Sequence, residues 1–468
     1  MYELYYQPKG GWVGDCMPCY HDGTFYLYYQ CDKRDPKPFP NGQPFGWSLA
    51  KSKDMVHFTD YGEVLHKGTP GGRENCIYAG SIIHALGSFR AFYTGECAAY
   101  QGHPECPPKE AIMFATSPDG IHWNKHPELT IYAPQGYERD YFRDPHVCYM
   151  EDLQKWVMVI PARRDQGPAV RRGVMTWWTS QDLEHWHFEG ELWAPNMYHL
   201  LQMPDLFKIG SWWYLLFSEY DDQRRTRYRM SKSIHGPWIA PADDCFDGRC
   251  FYAARTIAAE GKRYLFGWNP TREGDNDLGM WIWGGTAVMQ EVYQRADGTL
   301  GVRLPERFGR LFQEVEKALP EQVSLFREDG CAEQVIRSSN DSFCRVDMTV
   351  RFTPGTFGFG IKFYENSQRD LGYCYHFIPG ENRFEFDKKP NYPWFRCMNR
   401  GLTRPITLIP GKEYAISLII DDDVCILYVD GVALNARMCE KPGQELKLYV
   451  QGGGLEVTQL HYFNRLDK

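Results

Sequence analysis

The chain has 468 residues, more than one ordinary domain holds, so two domains are expected. Its formal net charge of -8 argues against a nucleic-acid partner, and no apolar run is long enough to predict a membrane-spanning helix. Aromatic residues make up 15% of the chain, a content that favours β-structure and suits a neutral polar ligand.

The 15 cysteines are scattered and odd in number. Cys16 and Cys19 lie near each other, but no second pair matches them, so we expect no zinc site and no other metal or cofactor. The amino terminus shows neither the basic nor the apolar region of a secretion signal. Free thiols without such a signal predict a reducing, cytoplasmic location.

Five segments share one design, in which a strand, a tight turn and a strongly apolar second strand follow one another. They span residues 15–30, 78–95, 144–161, 202–219 and 251–268. The first segment turns at Asp22-Gly23, a strong hairpin signal. Third strands follow at 46–50, 111–115, 174–178, 227–230 and 280–283. Repeats of roughly 50–65 residues with about four strands each predict a β-propeller, here with five blades.

A turn motif follows the third strand in four of these repeats. Its copies span residues 52–58, 117–123, 180–186 and, more weakly, 231–238. Ser and Asp side chains in such turns cap the backbone, and the closing aromatic residue is expected to pack between blades. Because a repeated element usually belongs to the scaffold, we interpret its histidines as structural and not catalytic.

In a propeller, the first strand of each blade begins at the same mouth of the central channel where the antiparallel second strand ends. The residues that this geometry brings together are Asp15, Asp144 and Gln202 at strand starts, and Gln30, Glu96 and Glu219 at strand ends. Isolated carboxylates among aromatic residues suit cleavage of a glycosidic bond. One carboxylate attacks or activates water, and another group protonates the leaving oxygen.

The repeat pattern ends near residue 303. Residues 304–330 are predicted to form a connector with a helical piece, and alternating strands from 331 to 468 predict a β-sandwich with turns such as Asp430-Gly431. The sequence therefore predicts an all-β protein with a five-bladed propeller (1–303), a connector (304–330) and a C-terminal sandwich (331–468).

Several motifs, in order along nearly the whole chain, resemble those of glycoside hydrolase family 32, the invertase, inulinase and levanase group. They include Trp12-Val13-Gly14-Asp15, Tyr78-Ala79-Gly80-Ser81, Phe142-Arg143-Asp144-Pro145, Phe251-Tyr252-Ala253 and Phe266-Gly267-Trp268. The resemblance implies that Asp15 is the nucleophile, that Asp144 holds ring hydroxyls and stabilises the transition state, and that Arg143 orients Asp144. The other expected substrate contacts are Gln30, Trp47, Tyr78, Ser81, Gln202 and Trp268.

The sequence departs from the family pattern in the first motif and at the acid/base position. Gly14 stands where the first motif has Asn, and Cys16-Met17-Pro18 stands where it has Pro-Asn-Gly. Gln202 stands where the family has its acid/base Glu. Gln is nearly isosteric with Glu but has no titratable proton to donate. Three accounts stay open: Glu219, or its equivalent Glu96, acts as the acid; the substrate needs little protonation or supplies its own acid; or the protein binds sugar without hydrolysing it.

The resemblance implies a glycosidase that cleaves a small β-fructofuranoside or related furanoside by a retaining mechanism, with a covalent intermediate on Asp15. One alternative is an inverting enzyme of the related five-bladed families, such as an arabinofuranosidase. The other is a catalytically silent sugar-binding propeller. The expected partner is a small oligosaccharide or fructoside, with neither nucleic acid nor membrane, and the sequence predicts no particular oligomeric state.

Overall fold

The computed structural model describes residues 2–220, 223–389 and 401–466. Over these residues the chain is all-β, as the sequence predicts, and its helices are six short 3₁₀ turns. The turns are Ala98–Tyr100, Pro127–Leu129, Ala169–Arg171, Glu273–Asp275, Glu306–Leu311 and Pro379–Glu381. In the described ranges no helix has the length and apolar character needed to cross a membrane.

Twenty strands form five consecutive groups in the first part of the chain. Group 1 contains β1 (Trp12–His21), β2 (Thr24–Asp32), β3 (Trp47–Ser52) and β4 (Thr59–Leu65). Group 2 contains β5 (Cys76–Ala85), β6 (Ser88–Glu96), β7 (Glu110–Ser117) and β8 (Asn124–Lys125). Group 3 contains β9 (Tyr137–Phe142), β10 (His146–Met150), β11 (Lys155–Arg164), β12 (Gly173–Ser180) and β13 (His187–Trp193). Group 4 contains β14 (Leu201–Ile209), β15 (Trp212–Glu219) and β16 (Thr226–Ser231). Group 5 contains β17 (Tyr252–Ala259), β18 (Lys262–Arg272), β19 (Trp281–Gln294) and β20 (Leu300–Arg303).

The inner strands of the five groups form a closed ring. Each group is an antiparallel ladder, and the strands β1, β5, β10, β14 and β17 contact one another in that order and back to β1. The ring is closed by strand pairing, because β19 pairs with β1 at Val13 and Gly285 and so joins the last group to the first. The starts of all five inner strands consequently lie around one opening.

Every strand group has one extra residue close to this opening. The register shifts between Val13 and Cys16 in β1, between Tyr78 and Gly80 in β5, between Gln202 and Asp205 in β14 and between Tyr252 and Arg255 in β17. In group 3 the extra residue lies between β9 and β10, where the ladder against β11 passes from Phe142 to His146.

Such β-bulges bend a strand and re-aim the side chains beside them. Three bulge residues, Asp144, Met203 and Ala253, have positive φ angles of 59°, 51° and 53°. A left-handed backbone is unusual for a residue with a side chain, so these conformations mark positions that the surrounding ring holds in place. The bulges place Asp15, Asp144 and Gln202, three of the predicted site residues, at the opening.

The repeated turns are structural, as predicted. In the first copy, Ser52 Oγ accepts the amide of Met55 at 2.8 Å, and Asp54 Oδ1 accepts the amide of His57 at 2.8 Å. The equivalent carboxylates in the next two copies accept the amides of His122 and His185. The histidine side chains of all three copies are largely exposed and stay far from the ring interior.

Eleven further strands form one antiparallel sheet at the carboxyl end. They are β21 (Phe312–Glu314), β22 (Val323–Arg337), β23 (Phe343–Phe352), β24 (Gly358–Asn366), β25 (Leu371–Ile378), β26 (Arg383–Lys389), β27 (Thr403–Pro405), β28 (Tyr414–Asp421), β29 (Val424–Val429), β30 (Val432–Arg437) and β31 (Glu445–Arg465). The main path runs β27-β26-β25-β24-β31-β23-β28-β29-β30, with β21 and β22 also on β31. Strand β22 begins inside the predicted connector, whose helical piece is the 3₁₀ turn Glu306–Leu311.

A buried carboxylate fastens this sheet to the ring. Asp247, which is 1% exposed, accepts hydrogen bonds from the backbone and side-chain nitrogens of Asn435 at 2.7 and 2.5 Å and from Nε2 of Gln290 at 2.7 Å. Asn435 belongs to β30 and Gln290 to β19, so Asp247 bridges the two parts of the molecule. A buried donor that loses its acceptor destabilises the folded protein, because water cannot take the place of the acceptor.

We expect the Asp247→Ala variant to lose about 3 kcal/mol of unfolding free energy, since it leaves several buried donors without an acceptor. The matched control is Asp152→Ala, which removes an exposed carboxylate paired with Lys208 at 2.5 Å and should cost less than about 1 kcal/mol. Urea unfolding followed by tryptophan fluorescence measures both. Equal losses in the two variants would contradict the bridging role of Asp247.

Candidate active site

Asp15 lies in the bulge of β1 at the ring opening. Its Oδ1 accepts a hydrogen bond from Nε1 of Trp268 at 3.1 Å, which joins group 1 to group 5. The ring of Trp268 meets those of Tyr252 and Trp283 edge-on, at centroid distances of 5.4 and 5.8 Å. Asp15 is therefore a carboxylate that accepts an indole N–H within an aromatic wall.

The same wall explains the departure at Gly14. A Cβ atom added at Gly14 would collide with the ring of Trp283, so no side chain fits there. That ring stacks on Phe45 at 5.8 Å and leans on Phe39 at 4.7 Å. The Asn of the family motif is thus replaced by an aromatic surface contributed by β19.

Asp144 is held from both neighbouring groups. Its amide donates to Thr94 Oγ1 of β6 at 2.8 Å, and its Oδ2 accepts the amide of Met203 of β14 at 3.2 Å. Only 3% of its surface is exposed. The left-handed backbone at Asp144 is therefore fixed by contacts that come from groups 2 and 4 at the same time.

The Asp144 carboxylate is close enough to Asp15 to affect its ionisation. Burial is the main cause that raises the pKa of Asp15 to about 7, and the negative charge of Asp144 raises it further. Burial also raises the pKa of Asp144, while Arg143 and Arg255 oppose that rise. Such perturbed carboxyl pairs are typical of catalytic sites.

Arg143 is ion-paired with Glu110, a residue that the sequence analysis missed. Arg143 Nε donates to Glu110 Oε2 at 2.9 Å, its Nη2 pairs with Oε1, and the amide of Phe142 also donates to Oε2. Glu110 is fully buried at the start of β7. A buried Arg requires a carboxylate partner, and the charged pair Lys109-Glu110 before an apolar strand was the available signal.

Gln202 lies at the opening beside Tyr252. The Tyr252 hydroxyl is 3.2 Å from Oε1 of Gln202 and 2.7 Å from the backbone carbonyl of Glu219. Tyr252 is 4% exposed and lies close to both Asp15 and Asp144, whose charges contribute to the rise of its pKa after burial. The side chain at the family's acid/base position therefore faces the same pocket as the carboxylates.

Glu219 is buried and ion-paired. Its Oε1 lies 2.6 Å from Nε of Arg227, and only 6% of its surface is exposed. Arg227 also pairs with Asp244 at 2.5 Å. An exposed loop position for Glu219 is thereby excluded. The ion pair with Arg227 favours the ionised form of this carboxyl, whereas a general acid starts its step protonated.

Glu96 is the other buried carboxyl at a second-strand end. It is 3% exposed and lies 3.8 Å from Nζ of Lys109. Burial raises its pKa, and Lys109, Arg143 and a hydrogen bond with Tyr78 work against that rise. Glu96 thus lies on the group 2 side of the opening, next to Tyr78.

The remaining predicted contacts lie in the walls. Gln30 donates from Nε2 to the carbonyl of Ile77 at 3.2 Å, and Ser81 Oγ accepts the amide of Val147 at 3.0 Å. Trp47 is fully buried and donates to the carbonyl of Tyr78 at 3.0 Å. It can therefore act on a sugar only through Tyr78, whose ring lies 5.6 Å from the guanidinium of Arg143.

The described residues include no group of three or more His, Cys, Asp or Glu side chains placed to hold a metal ion. The 14 cysteines in the described ranges are free thiols. What the opening offers is two interacting carboxylates, an indole donor, a buried Arg–Glu pair and several aromatic faces. These groups can attack and stabilise a sugar at its anomeric centre.

Paired carboxylates in an aromatic pocket, at the opening of a closed ring of antiparallel sheets, are the fold and site of a glycoside hydrolase. The chain belongs to glycosyl hydrolase family 32, because the profile of the "Glycosyl hydrolases family 32 N-terminal domain" matches residues 5–289.

Curated relatives carry names from the same family. The chain is 24% identical to a sucrose-6-phosphate hydrolase of Escherichia coli, over 95% of this chain and 91% of that protein. It is 26% identical to a raffinose invertase of Escherichia coli, over 80% of this chain and 79% of that protein. It is 27% identical to a sucrose-6-phosphate hydrolase of Zymomonas mobilis, over 66% of this chain but only 62% of that protein.

Solved structures share the fold. The sucrose-6-phosphate hydrolase of Lactobacillus gasseri superposes with a TM-score of 0.76 at 16% identity, covering 100% of this chain and 93% of that one. The exo-inulinase of Aspergillus awamori superposes with the same TM-score and identity, covering 100% of this chain and 98% of that one. Architecture is therefore retained where most residues differ.

The raised pKa of Asp15 predicts how its ionisation affects stability. The folded state binds this proton more tightly than the unfolded chain, whose Asp has a pKa of about 4. The ionised carboxylate therefore lowers stability as pH rises from about 4 to the folded value of about 7. We expect Asp15→Asn to melt a few degrees above the parent protein at pH 8, with the difference disappearing towards pH 4.

Differential scanning calorimetry at a series of pH values measures this difference. Asp152→Asn, at an exposed position, is the control and should follow the parent at every pH. A pH-independent difference between Asp15→Asn and the parent would contradict an elevated pKa at Asp15.

Proposed function

We propose that the chain is a β-fructofuranosidase that cleaves small fructosides with retention of configuration. The observation that carries this proposal is the placement of Asp15 and Asp144 at one opening, where the charge of Asp144 helps to raise the pKa of Asp15. Family membership and the names of the relatives support it, and they give no support to the arabinofuranosidase alternative. We further propose that the five strand groups are the blades of a propeller spanning 1–303, followed by a connector (304–330) and a sandwich (331–468).

In the proposed reaction, Asp15 attacks the anomeric carbon and the bond to the leaving oxygen breaks. Water then releases the sugar from the Asp15 ester. The Trp268 donor keeps one oxygen of Asp15 in place, so the other is available for attack. Asp144 binds ring hydroxyls, and its negative charge stabilises the oxocarbenium character that develops at the anomeric carbon.

Glu219 is our proposed proton donor because it closes the hairpin that Gln202 opens. Leu201 pairs with Glu219 and Gln202 with Ser218, so Gln202 and Glu219 lie at the same end of the ladder, where the Tyr252 hydroxyl is near both Oε1 of Gln202 and the backbone carbonyl of Glu219. To act as an acid, Glu219 must weaken its ion pair with Arg227 when a substrate enters. Glu96, whose pKa is raised by burial, is the second candidate.

A sugar-binding protein without turnover is the second candidate function. The observation that favours it is the combination of an amide at Gln202 with an ion-paired Glu219, since neither is a ready proton donor. Such a protein would keep the pocket and lose the chemistry. Turnover of any fructoside separates the two functions.

Replacement of the proposed nucleophile should abolish turnover. We expect Asp15→Asn to lower kcat by about three orders of magnitude or more on sucrose, sucrose 6-phosphate, raffinose or levan, because no other group attacks the anomeric carbon. Fructoside binding, measured by calorimetry, should persist. The control Asp152→Asn should keep parental kcat, and near-normal turnover by Asp15→Asn would exclude the assignment.

Substrates with different leaving groups identify the general acid, because only a poor leaving group needs a proton. If Glu219 is the donor, Glu219→Gln should slow sucrose cleavage at least about tenfold more than cleavage of a nitrophenyl fructoside, which needs no protonation. Glu96→Gln is the matched variant and should slow both substrates alike. The opposite pattern would assign the acid to Glu96, and no selective effect in either variant would favour a substrate-supplied acid.

A further inference from the structure

Arg255 lies beneath the candidate site, in the channel of the ring. It follows the bulge of β17, is 2% exposed, and lines a channel cavity of about 400 Å³. Its Nη2 donates to the carbonyl of Asp144 at 2.8 Å, and its Nη1 donates to the carbonyl of Gly80 and lies 3.4 Å from that of Pro145. One side chain from group 5 thus binds the backbone of groups 2 and 3.

The charge of Arg255 is not neutralised by a direct ion pair. In the parts of the chain that the structure describes, no carboxylate oxygen lies within 4.0 Å of its guanidinium nitrogens. Arg143, another cation near the pocket, is instead paired with Glu110, and the guanidinium of Arg224 lies 5.8 Å from the ring of Tyr252. A buried cation without a contact partner acts on the nearest anions through space, and here these are Asp144, Asp205 and Asp15.

We propose that Arg255 is a positioning residue of the active site: it holds the left-handed backbone of Asp144 from below, and its charge allows Asp15 and Asp144 to be ionised together. The catalytic part of this proposal rests on the proposed function. The physical reason is that two carboxylates in a desolvated pocket repel each other, so that a nearby uncompensated cation favours the doubly ionised state.

The other charged groups around Arg255 do not replace it. His146 lies 3.4 Å from Asp205, and burial lowers its pKa to about 4, so it is neutral near pH 7. Asp205 Oδ2 accepts the amide and hydroxyl of Thr256 at 2.6 and 2.5 Å. Arg263 donates to the Thr256 hydroxyl and stacks on Phe207, which places its charge towards the other end of the channel.

The buried thiols on the adjacent strands are also uncharged. Burial raises the pKa of Cys16, beside Asp15, and raises that of Cys148 to about 12. Among the described residues, the charges that act on Arg255 are those of Asp144, Asp205 and Asp15.

Arg255→Met, Arg255→Lys and Arg263→Met test the proposal by the pH dependence of kcat/KM. We expect the acid limb, set by Asp15, to move about one unit to higher pH in Arg255→Met, with kcat reduced at least about tenfold and KM little changed. Arg255→Lys restores the charge and should return the limb towards the parental position. Arg263→Met, which removes a channel Arg that does not contact Asp144, should leave it unchanged.

A second measurement does not need turnover. Carboxyl ¹³C NMR of protein labelled in its aspartates gives the pKa of Asp15 directly, with Asp15→Asn used for assignment. We expect the pKa of Asp15 to rise above its parental value of about 7 in Arg255→Met. In Arg263→Met it should keep the parental value. An unchanged Asp15 pKa in a folded Arg255→Met protein overturns the proposal, even if its melting temperature falls.

The two measurements separate the two hypotheses. If the parent protein hydrolyses no fructoside but the Asp15 pKa rises in Arg255→Met, the proposed function fails and the electrostatic role of Arg255 stands. If the parent protein is active and neither the pH profile nor the Asp15 pKa responds, Arg255 is only a structural clamp and the inference fails alone.

Discussion

The repulsion between Asp15 and Asp144 is the constraint around which the pocket is arranged. Burial alone opposes ionisation of each carboxyl, and their proximity adds to that cost, as the pKa of about 7 at Asp15 shows. The pocket offsets the cost with an indole donor at Asp15, a backbone amide at Asp144 and the charges of Arg143 and Arg255. A site of this kind is strained on its own and requires a rigid frame.

That frame is a ring in which each functional side chain is fixed by a neighbouring strand group. Asp144 of group 3 is held by Thr94 of group 2 and Met203 of group 4, and Asp15 of group 1 by Trp268 of group 5. The bulges supply the local backbone, but a left-handed residue such as Asp144 persists only because contacts from two sides hold it. The geometry of the site therefore depends on closure of the ring.

The two halves of the pocket have diverged to different extents. The side that carries Asp15, Trp268 and Asp144 keeps the residues that resemble the family motifs. On the leaving-group side, an amide replaces the acid at Gln202, and Glu219 is engaged with Arg227. The chain thus belongs to family 32 but has an amide at position 202 and an ion-paired carboxyl at Glu219.

The sequence by itself determined the all-β class, the five hairpins and the carboxylates at the strand starts. Strand alternation, turn residues such as Asp22-Gly23 and the motif around Asp144 are local signals that depend on near neighbours along the chain. The tertiary structure alone decided which charges compensate which. Glu110 lies 33 residues from Arg143, and Arg255 lies 111 residues from Asp144. Coulomb energies depend on distances in space, and only the closed ring sets those distances.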